Sequence, residues 1–485
     1  MKILLIETSR TYSRGTKGIR MSLPLGLLYT AASLENAKYS VSIYSCLCSQ
    51  STRVIEHEGV IHHGVDDDDF KDMIIKEDPD IVGISCPFTA QFDQYLYASK
   101  LVKEVDKNIF VVGGGPHFSV CGSSFLLKNL DTDCYISGEG EEPILTLVDN
   151  MVNNISFDGI PGITYRDKND DTIKSTPNEY FKAMDDLPFP AYHLFNMELY
   201  FDYQKNGCKG HDGPISARLD QGGKRTVSVI TSRGCPFKCT FCSVALHMGK
   251  PVRAHGSEYI IRHIQLLVDH YSIEHIFFED DNLTFRVNRV QEIVDKMIKK
   301  EFNLTWSTPN GVRADKLTKP LIMSMKESGC TGLIIGTESG DQDTLNNIIK
   351  KELDLKTVVK VASWCKDIDI GLTSFFVIGF PDETKKAIQN TIDFAIMLYK
   401  KYNVLPLLNN ATPLIGSELY DIAVKDQLLV TDVTPDALST ATQPLSGVGL
   451  IKTDDFSPSD LYAFAKQLNK RMGDINPDFD VSYHT

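Results

Sequence analysis

The chain has 485 residues, 42% of them apolar and 24% charged, with a net charge of −14 at pH 7 and an isoelectric point near 5.4. That length allows two or three cores, and the acidity argues against a broad phosphate-binding surface, so nucleic acid is not an expected partner. The N-terminal MKILLIETSR carries no cleavage pattern, and no stretch reaches the roughly 18 apolar residues of a membrane span. A cytoplasmic protein without a membrane span is expected.

The first 150 residues alternate Val/Ile-rich runs with amphipathic stretches. Strands are predicted at 2–7, 40–45, 81–86, 109–113 and 134–137, with helices at 25–36 and 92–105. Such alternation indicates a parallel sheet covered on both faces. The IHHG stretch at 61–64 reads as a surface loop. Residues 151–220 break the rhythm: DKNDDTIKSTPNEYF and DDLPFPAYHLF are polar and Pro-punctuated, which suits a hairpin and a linker. The Gly-rich GCKGHDGPISARLDQGGK follows, and a domain boundary is placed near 180–220.

A second series occupies 221–420, with strands predicted at 227–231, 275–279, 304–308, 332–336, 371–378 and 404–408. Helices are predicted at 257–271, 287–300, 319–328, 356–367 and 384–401. Consecutive βα units without reversal imply a partial (β/α)6 barrel of the TIM type, whose working residues sit at the C-terminal strand ends. Residues 421–485 form a less regular extension that ends in one more helix.

Eleven cysteines, an odd number, disfavour a complete disulfide framework. Eight are scattered (Cys46, Cys48, Cys86, Cys121, Cys134, Cys208, Cys330 and Cys365) and read as small core residues. The remaining three, Cys235, Cys239 and Cys242, follow the first strand of the second series at spacing C-x3-C-x2-C. Thiolates bind zinc and iron–sulfur clusters alike and need a reducing compartment. His247 would complete a Cys3His zinc site. A four-iron cluster held by three cysteines would instead keep one iron open for a substrate.

Together with Phe241 just before the last cysteine, this loop resembles the radical S-adenosylmethionine superfamily. The resemblance implies a [4Fe–4S] cluster on Cys235, Cys239 and Cys242 whose open iron chelates S-adenosylmethionine. Reductive cleavage then yields a 5′-deoxyadenosyl radical that abstracts hydrogen from an unactivated carbon. Later motifs fall in the family's order, one per predicted strand. FFEDDN brings Asp280 and Asp281, NGVRAD Arg313, IIGTESG Glu338 and Ser339, FFVIGFP Gly379, and ATPLIGSELY a sixth-strand loop. Together with Phe241 these are the implied S-adenosylmethionine contacts.

The first 150 residues resemble the Rossmann-like cobalamin-binding domain fused to such enzymes, through SLPLGLLYTAASLE, GISCPFTAQF, VVGGGPHFS and ISGEGEEPI. The implied cobalamin contacts are Pro24, Leu25, Gly26, Ser85, Thr89, Gly113, Gly114, Gly115, Gly138, Glu139 and Gly140. Glycines at strand ends let backbone approach a large ligand. The D-x-H-x-x-G motif that supplies a histidine to cobalt elsewhere is absent. The TSRTYSRG after the first strand has no histidine, and His117 belongs to the GGPH loop pattern. The expected activity is cobalamin-dependent methylation of an unactivated carbon or phosphorus centre of a small molecule. The alternative is a non-methylating rearrangement, with a first domain that holds no cobalamin. An electron donor such as flavodoxin or ferredoxin is the implied protein partner.

Overall fold

The computed structural model describes residues 1–12, 19–120, 122–167, 172–215 and 221–476. Cys121, parts of TSRTYSRG, DKNDDTIKSTPNEYF and GCKGHDGPISARLDQGGK, and the last residues of the C-terminal extension lie outside them. The chain divides into two compact units. One comprises Met1–Thr226 with Leu246–Gly249, the other Val227–Ala245 with Lys250–Thr485.

The first unit is built on a seven-stranded sheet. Its order is Ile173–Ser175, Ile163–Arg166, Cys134–Ile136, Phe110–Gly114, Ile81–Ser85, Lys2–Glu7, Ser40–Ser45. The last five are parallel. The first two form an antiparallel hairpin added at the edge, so the break in rhythm after residue 150 still contributes to the sheet. In chain order the parallel strands run 2-1-3-4-5. The direction of winding reverses between Lys2–Glu7 and Ile81–Ser85, where doubly wound folds bind ligands beyond the carboxyl ends.

Strand alternation assigns the two faces. Leu4 and Ile6 join a core with Phe70, Met73 and Ile74 of helix Asp67–Glu77 and Ala98, Leu101 and Val102 of helix Phe92–Val105. Ile3 and Leu5 join the opposite core, with Leu27, Ala31 and Leu34 of helix Leu25–Asn36 and Ile144, Leu147 and Val148 of helix Glu141–Asn153.

The IHHG stretch is not a surface loop. Val60–Gly64 is the central strand of a three-stranded antiparallel sheet between Arg10–Tyr12 and Arg53–His57. Alternation along it leaves His63 fully buried. The turn-rich segment before the boundary also contains helix Met197–Asn206, whose first turn is capped by Asn196 accepting from the Leu199 N–H at 3.1 Å.

The second unit carries six strands in chain order: Thr226–Val229, His275–Phe278, Thr305–Ser307, Cys330–Glu338, Gly371–Ile378 and Leu405–Asn410. From His275–Phe278 onward every neighbouring pair is parallel, with helices between them as in a partial barrel. The extension ends in helix Pro458–Ile475, started by a capping box between Ser457 and Asp460. Its Leu461, with Phe456, joins the core of Ile378, Phe380 and Ala411. Among the described residues no helix is long and apolar enough to cross a membrane. The described scattered cysteines are buried and form no disulfide among the described residues.

The loop after Gly371–Ile378 turns on Gly379, at φ +90°. Glu383 Oε2 holds that turn by accepting from the Gly379 and Phe380 N–H groups at 2.7 and 3.1 Å. Its other oxygen is buried without a partner, and burial raises the carboxyl from 4.5 to about 7 against the two N–H groups.

Two predictions follow from this packing. A Cβ on Gly113 would lie 2.5 Å from Phe118 Cζ and 2.8 Å from Tyr95 Oη, whereas one on Gly114 meets nothing within 4 Å. Gly113→Ala should therefore lose about 1–3 kcal/mol in urea denaturation, and Gly114→Ala should hold the wild-type midpoint. For Glu383, folded and unfolded chains both carry the proton below about 4.5. As pH rises toward about 7 the unfolded chain releases it first, so this group removes stability, by roughly 3 kcal/mol in full. The stability difference between wild type and Glu383→Gln should change by that amount between pH 4.5 and 8, in favour of the variant. A difference that stays flat with pH would refute the assignment.

Candidate active site

The cysteine loop leaves strand Thr226–Val229 through a short ladder, Ser232–Arg233 against Arg253–Ala254. It turns at Gly234, φ +88°. The next strand supplies the tie. Asp280, 1% exposed, accepts from the Thr231 N–H at 3.0 Å, the Thr231 hydroxyl at 2.6 Å and the Ser232 hydroxyl at 2.5 Å. Arg289 Nη2 donates to the Thr231 carbonyl at 2.6 Å, and its Nε to the His255 carbonyl at 2.7 Å. Asp281 accepts from the Gly234 N–H at 3.1 Å. Burial, aided by Asp280, raises its carboxyl to about 6 against that N–H and the nearby Arg233 and Arg253. Asn282 directs Nδ2 at Cys235 Sγ from 3.9 Å.

The middle and end of the loop are held as firmly. The Arg313 guanidinium lies 3.7 Å from the centre of the Phe237 ring. Thr240, 4% exposed, donates its N–H to the Ile349 carbonyl at 3.1 Å and its hydroxyl to the Ile348 carbonyl at 3.2 Å. Its own carbonyl accepts from the Leu419 N–H at 2.9 Å. Phe241 packs on Phe380 at 5.8 Å between ring centres. Cys235 and Cys239 are half-buried, and Cys242 keeps its outer surface exposed.

The three thiols converge closely enough to repel one another as thiolates. Burial raises Cys239, with Lys351 and Arg313 opposing and Glu338 and Cys235 adding to the rise. Cys242, crowded on its inner side, is pushed up to about 12 by desolvation and then by Cys239, Cys235 and Asp281. Iron held by Cys235, Cys239 and Cys242 would supply the positive charge that such a trio lacks and would favour the thiolate form. Among the described residues no three His, Cys, Asp or Glu groups close tightly around a single ion.

Of the other residues singled out in this unit, several are committed to the protein itself. Asp280 has both oxygens occupied by Thr231 and Ser232. The Ser339 hydroxyl pairs with Thr391 at 3.0 Å and accepts from the Asp341 N–H at 3.1 Å. Arg313 donates from Nε to Asp315 at 2.8 Å and from Nη2 to the Lys351 and Glu352 carbonyls at 3.1 and 3.3 Å. A Cβ on Gly379 would meet Leu461 Cδ1 at 2.6 Å, so the C-terminal helix takes up the close approach on that side. Capacity remains elsewhere: Asp281 has one oxygen beyond its bond to Gly234. Glu338, 7% exposed, accepts from Lys351 Nζ at Oε1 at 2.7 Å, and its Oε2 has no bond among the described residues.

Thr231, Ser232, Thr240, Arg289 and Lys351 were not legible as site residues. Their roles depend on contacts across strands, and none carries a local spacing signal.

In the first unit the carboxyl ends of the third, fourth and fifth parallel strands are linked loop to loop. His117 Nδ1 lies 3.1 Å from the Thr89 hydroxyl, and the Gly138 N–H donates to the Ser119 hydroxyl at 2.9 Å. The three glycines after the fourth strand differ in purpose. Gly113 makes room for Phe118 and Tyr95, Gly114 borders open space, and Gly115, at φ +103°, sits where a Cβ would touch the Cys86 carbonyl. Gly26 also borders open space, and a Cβ on Gly140 would lie 3.5 Å from Thr30 Oγ1. Pro24 and Leu25 start that helix, Glu139 Oε2 accepts from the Phe181 N–H at 2.8 Å, and Ser85 is half-buried at its strand end. This open glycine edge beside the switch point fits a large planar cofactor. After the first strand stand a buried Glu7–Arg10 pair at 3.1 Å and no histidine among the described residues.

Comparison with known proteins agrees with this geometry. A B12 binding domain model matches residues 22–148, and a radical SAM superfamily model matches residues 229–395. The chain is 30% identical over 439 residues to an uncharacterized methyltransferase of Pyrococcus horikoshii, covering 89% of this chain and 85% of that protein. It is 29% identical over 448 residues to cytidylyl-2-hydroxyethylphosphonate methyltransferase of Streptomyces wedmorensis, covering 86% and 80%. The fold matches that of the radical S-adenosylmethionine methyltransferase TsrM from Kitasatospora setae with cobalamin and a [4Fe–4S] cluster bound. The TM-score is 0.66 at 14% identity, over 96% of this chain and 91% of that one. The chain therefore belongs to the cobalamin-binding radical S-adenosylmethionine enzymes, with a [4Fe–4S] cluster, S-adenosylmethionine and cobalamin as its cofactors.

Proposed function

We propose that this enzyme methylates an unactivated carbon or phosphorus centre of a small molecule, with Cys235, Cys239 and Cys242 holding the cluster. The observation that carries this reading is a loop that brings three thiols within electrostatic reach of one another and is tied from four sides at the carboxyl end of the first barrel strand. When bound, the cluster and S-adenosylmethionine supply a carbon radical that abstracts hydrogen, and cobalamin supplies a methyl group.

The residues of this chain do the holding and the orienting. Asp281 and Glu338 each keep an oxygen that accepts from the ammonium or ribose hydroxyls of S-adenosylmethionine. Phe241 walls the cluster side, and Arg313 stiffens Phe237 from beneath. Asp280 and Ser339 act one step back, by fixing the loops that carry these groups. In the first unit, Gly26, Gly114, Gly138 and Gly140 with Ser85 and Thr89 make the edge on which cobalamin rests.

The phosphonate-methylating relative favours an acceptor within a small polar molecule. Exposed thiolate chemistry calls for a reducing compartment, hence the cytoplasm, and for a one-electron donor of the flavodoxin or ferredoxin kind.

Cys239→Ala should lose its iron and all 5′-deoxyadenosine formation, measured by iron assay and chromatography after anaerobic reconstitution. Continued formation would refute the site. Gly114→Val, which fills open space, should fold as wild type yet retain cobalamin at least tenfold less well by visible spectrum and cobalt assay. Wild type that binds iron fully and no cobalt would overturn the cobalamin reading. A product without an added methyl group would favour a rearrangement.

A further inference from the structure

Beyond the cysteine loop, three of the second unit's left-handed non-glycine residues, Glu338, Lys350 and Glu352, fall around one strand end. Strand Cys330–Glu338 carries a register shift between Gly336 and Glu338, and Glu338 itself adopts φ +67°. A non-glycine residue in that region is held there only when its surroundings over-determine it. The segment that follows is unusual too. Thr344–Ile348 winds as a π-helix, and Lys350 and Glu352 take φ +58° and +54°.

Lys351 stands between those two left-handed residues. It is 7% exposed, and its only bond from Nζ among the described residues goes to Glu338 Oε1 at 2.7 Å. The pair lies directly over Gly336, where a Cβ would come within 2.3 Å of Glu338 Oε1 and 2.7 Å of Lys351 Nζ. Its backbone is equally engaged: the Lys351 N–H donates to the Leu345 carbonyl at 2.9 Å, and its carbonyl accepts from Arg313 at 3.1 Å. The two residues just before Lys350, Ile348 and Ile349, hold Thr240 of the cysteine loop.

A long flexible cation is a costly way to fill a buried position, and burying an ion pair rarely adds net stability. Here it fixes one carboxylate orientation in a strained backbone and leaves the second oxygen free. We propose that Lys351 is the positioning residue of the cofactor pocket, holding Glu338 in its left-handed conformation so that Oε2 faces the bound S-adenosylmethionine. This inference rests on the reading of Glu338 as a contact to that cofactor. Without the ammonium, the buried Glu338 Oε1 loses its partner, and nothing holds the carboxylate in this orientation.

The test uses the full chain with reconstituted cluster and S-adenosylhomocysteine as the binding probe, measured by equilibrium titration. Lys351→Met should bind it at least tenfold more weakly, with iron content as in wild type. Glu338→Gln should show a similar loss. Lys351→Met placed on Glu338→Gln should lose nothing further, because the lysine acts through the glutamate. Lys351→Arg should restore most of the affinity, whereas a merely structural role would not separate binding from iron content. Unchanged affinity in Lys351→Met, a second full loss in the double variant, or loss of iron together with affinity would each overturn the proposal. Reconstituted wild type that binds no S-adenosylhomocysteine would refute the proposed function itself, a separate outcome.

Discussion

A loop that carries three thiols cannot be held by the metal it has yet to bind. Its shape must come from protein contacts, and the strongest of these is the buried Asp280 carboxylate. Three donors from Thr231 and Ser232 converge on it, and Arg289 binds the Thr231 carbonyl from the adjoining helix. A buried carboxylate is tolerable only with such partners. Any drift of the loop entry would strand a charge, so the conformation is fixed by the expense of the alternative. This also explains a division of labour within the acidic pair. The carboxylate that anchors the loop has no oxygen left for a ligand, and its neighbour Asp281, bound only to Gly234, does.

The same logic recurs at Glu338. A strained backbone, a glycine that admits no side chain and a buried ammonium together hold Glu338 by one oxygen and leave the other without a bond among the described residues. In both places the charged group is rigid because its first oxygen is satisfied within the protein. Preorganised groups of this kind need no reorganisation when a cofactor arrives. The two anchors are joined through residues 348–352, which grip Thr240 on one side and Arg313 on the other. The cysteine loop and the acidic strand end thus share one scaffold.

Much of the fold could be read from the residues because the parallel strands are Val/Ile-rich runs with amphipathic helices between them. Strands such as Lys2–Glu7 and Gly371–Ile378 and helices such as Ser257–Tyr271 and Val287–Lys300 fall where the pattern places them. The pattern failed where burial is local. RVIEHEGVIHHG has too few apolar residues to suggest paired strands, yet His63 is buried in its centre. Helix Met197–Asn206 lies among turn residues and carries a weak amphipathic signal. At the site, order and spacing brought out the cysteines and one motif per strand. No spacing distinguishes Asp280 from Asp281, and nothing local marks Lys351, whose partner lies 13 residues away across a strained turn.

The glycines show why a motif residue and its reason can part company. GGG at 113–115 resembles a single cofactor loop, but a Cβ at the three positions would meet an aromatic core, open space and a carbonyl respectively. Only the middle one is free to approach a ligand. Gly379 makes the same point in the second unit: its missing side chain accommodates Leu461 and its left-handed turn is held by Glu383. The chain after the sixth strand is therefore more than an appendage to the barrel. Helix Pro458–Ile475 supplies the apolar contact that closes the fifth strand's turn, and Leu419 holds the carbonyl of Thr240. Both ends of the pocket thus depend on residues contributed after the sixth strand. A chain ending at Asn410 would keep all three cysteines and every motif acid, yet lose the groups that hold Thr240 and Gly379 in place.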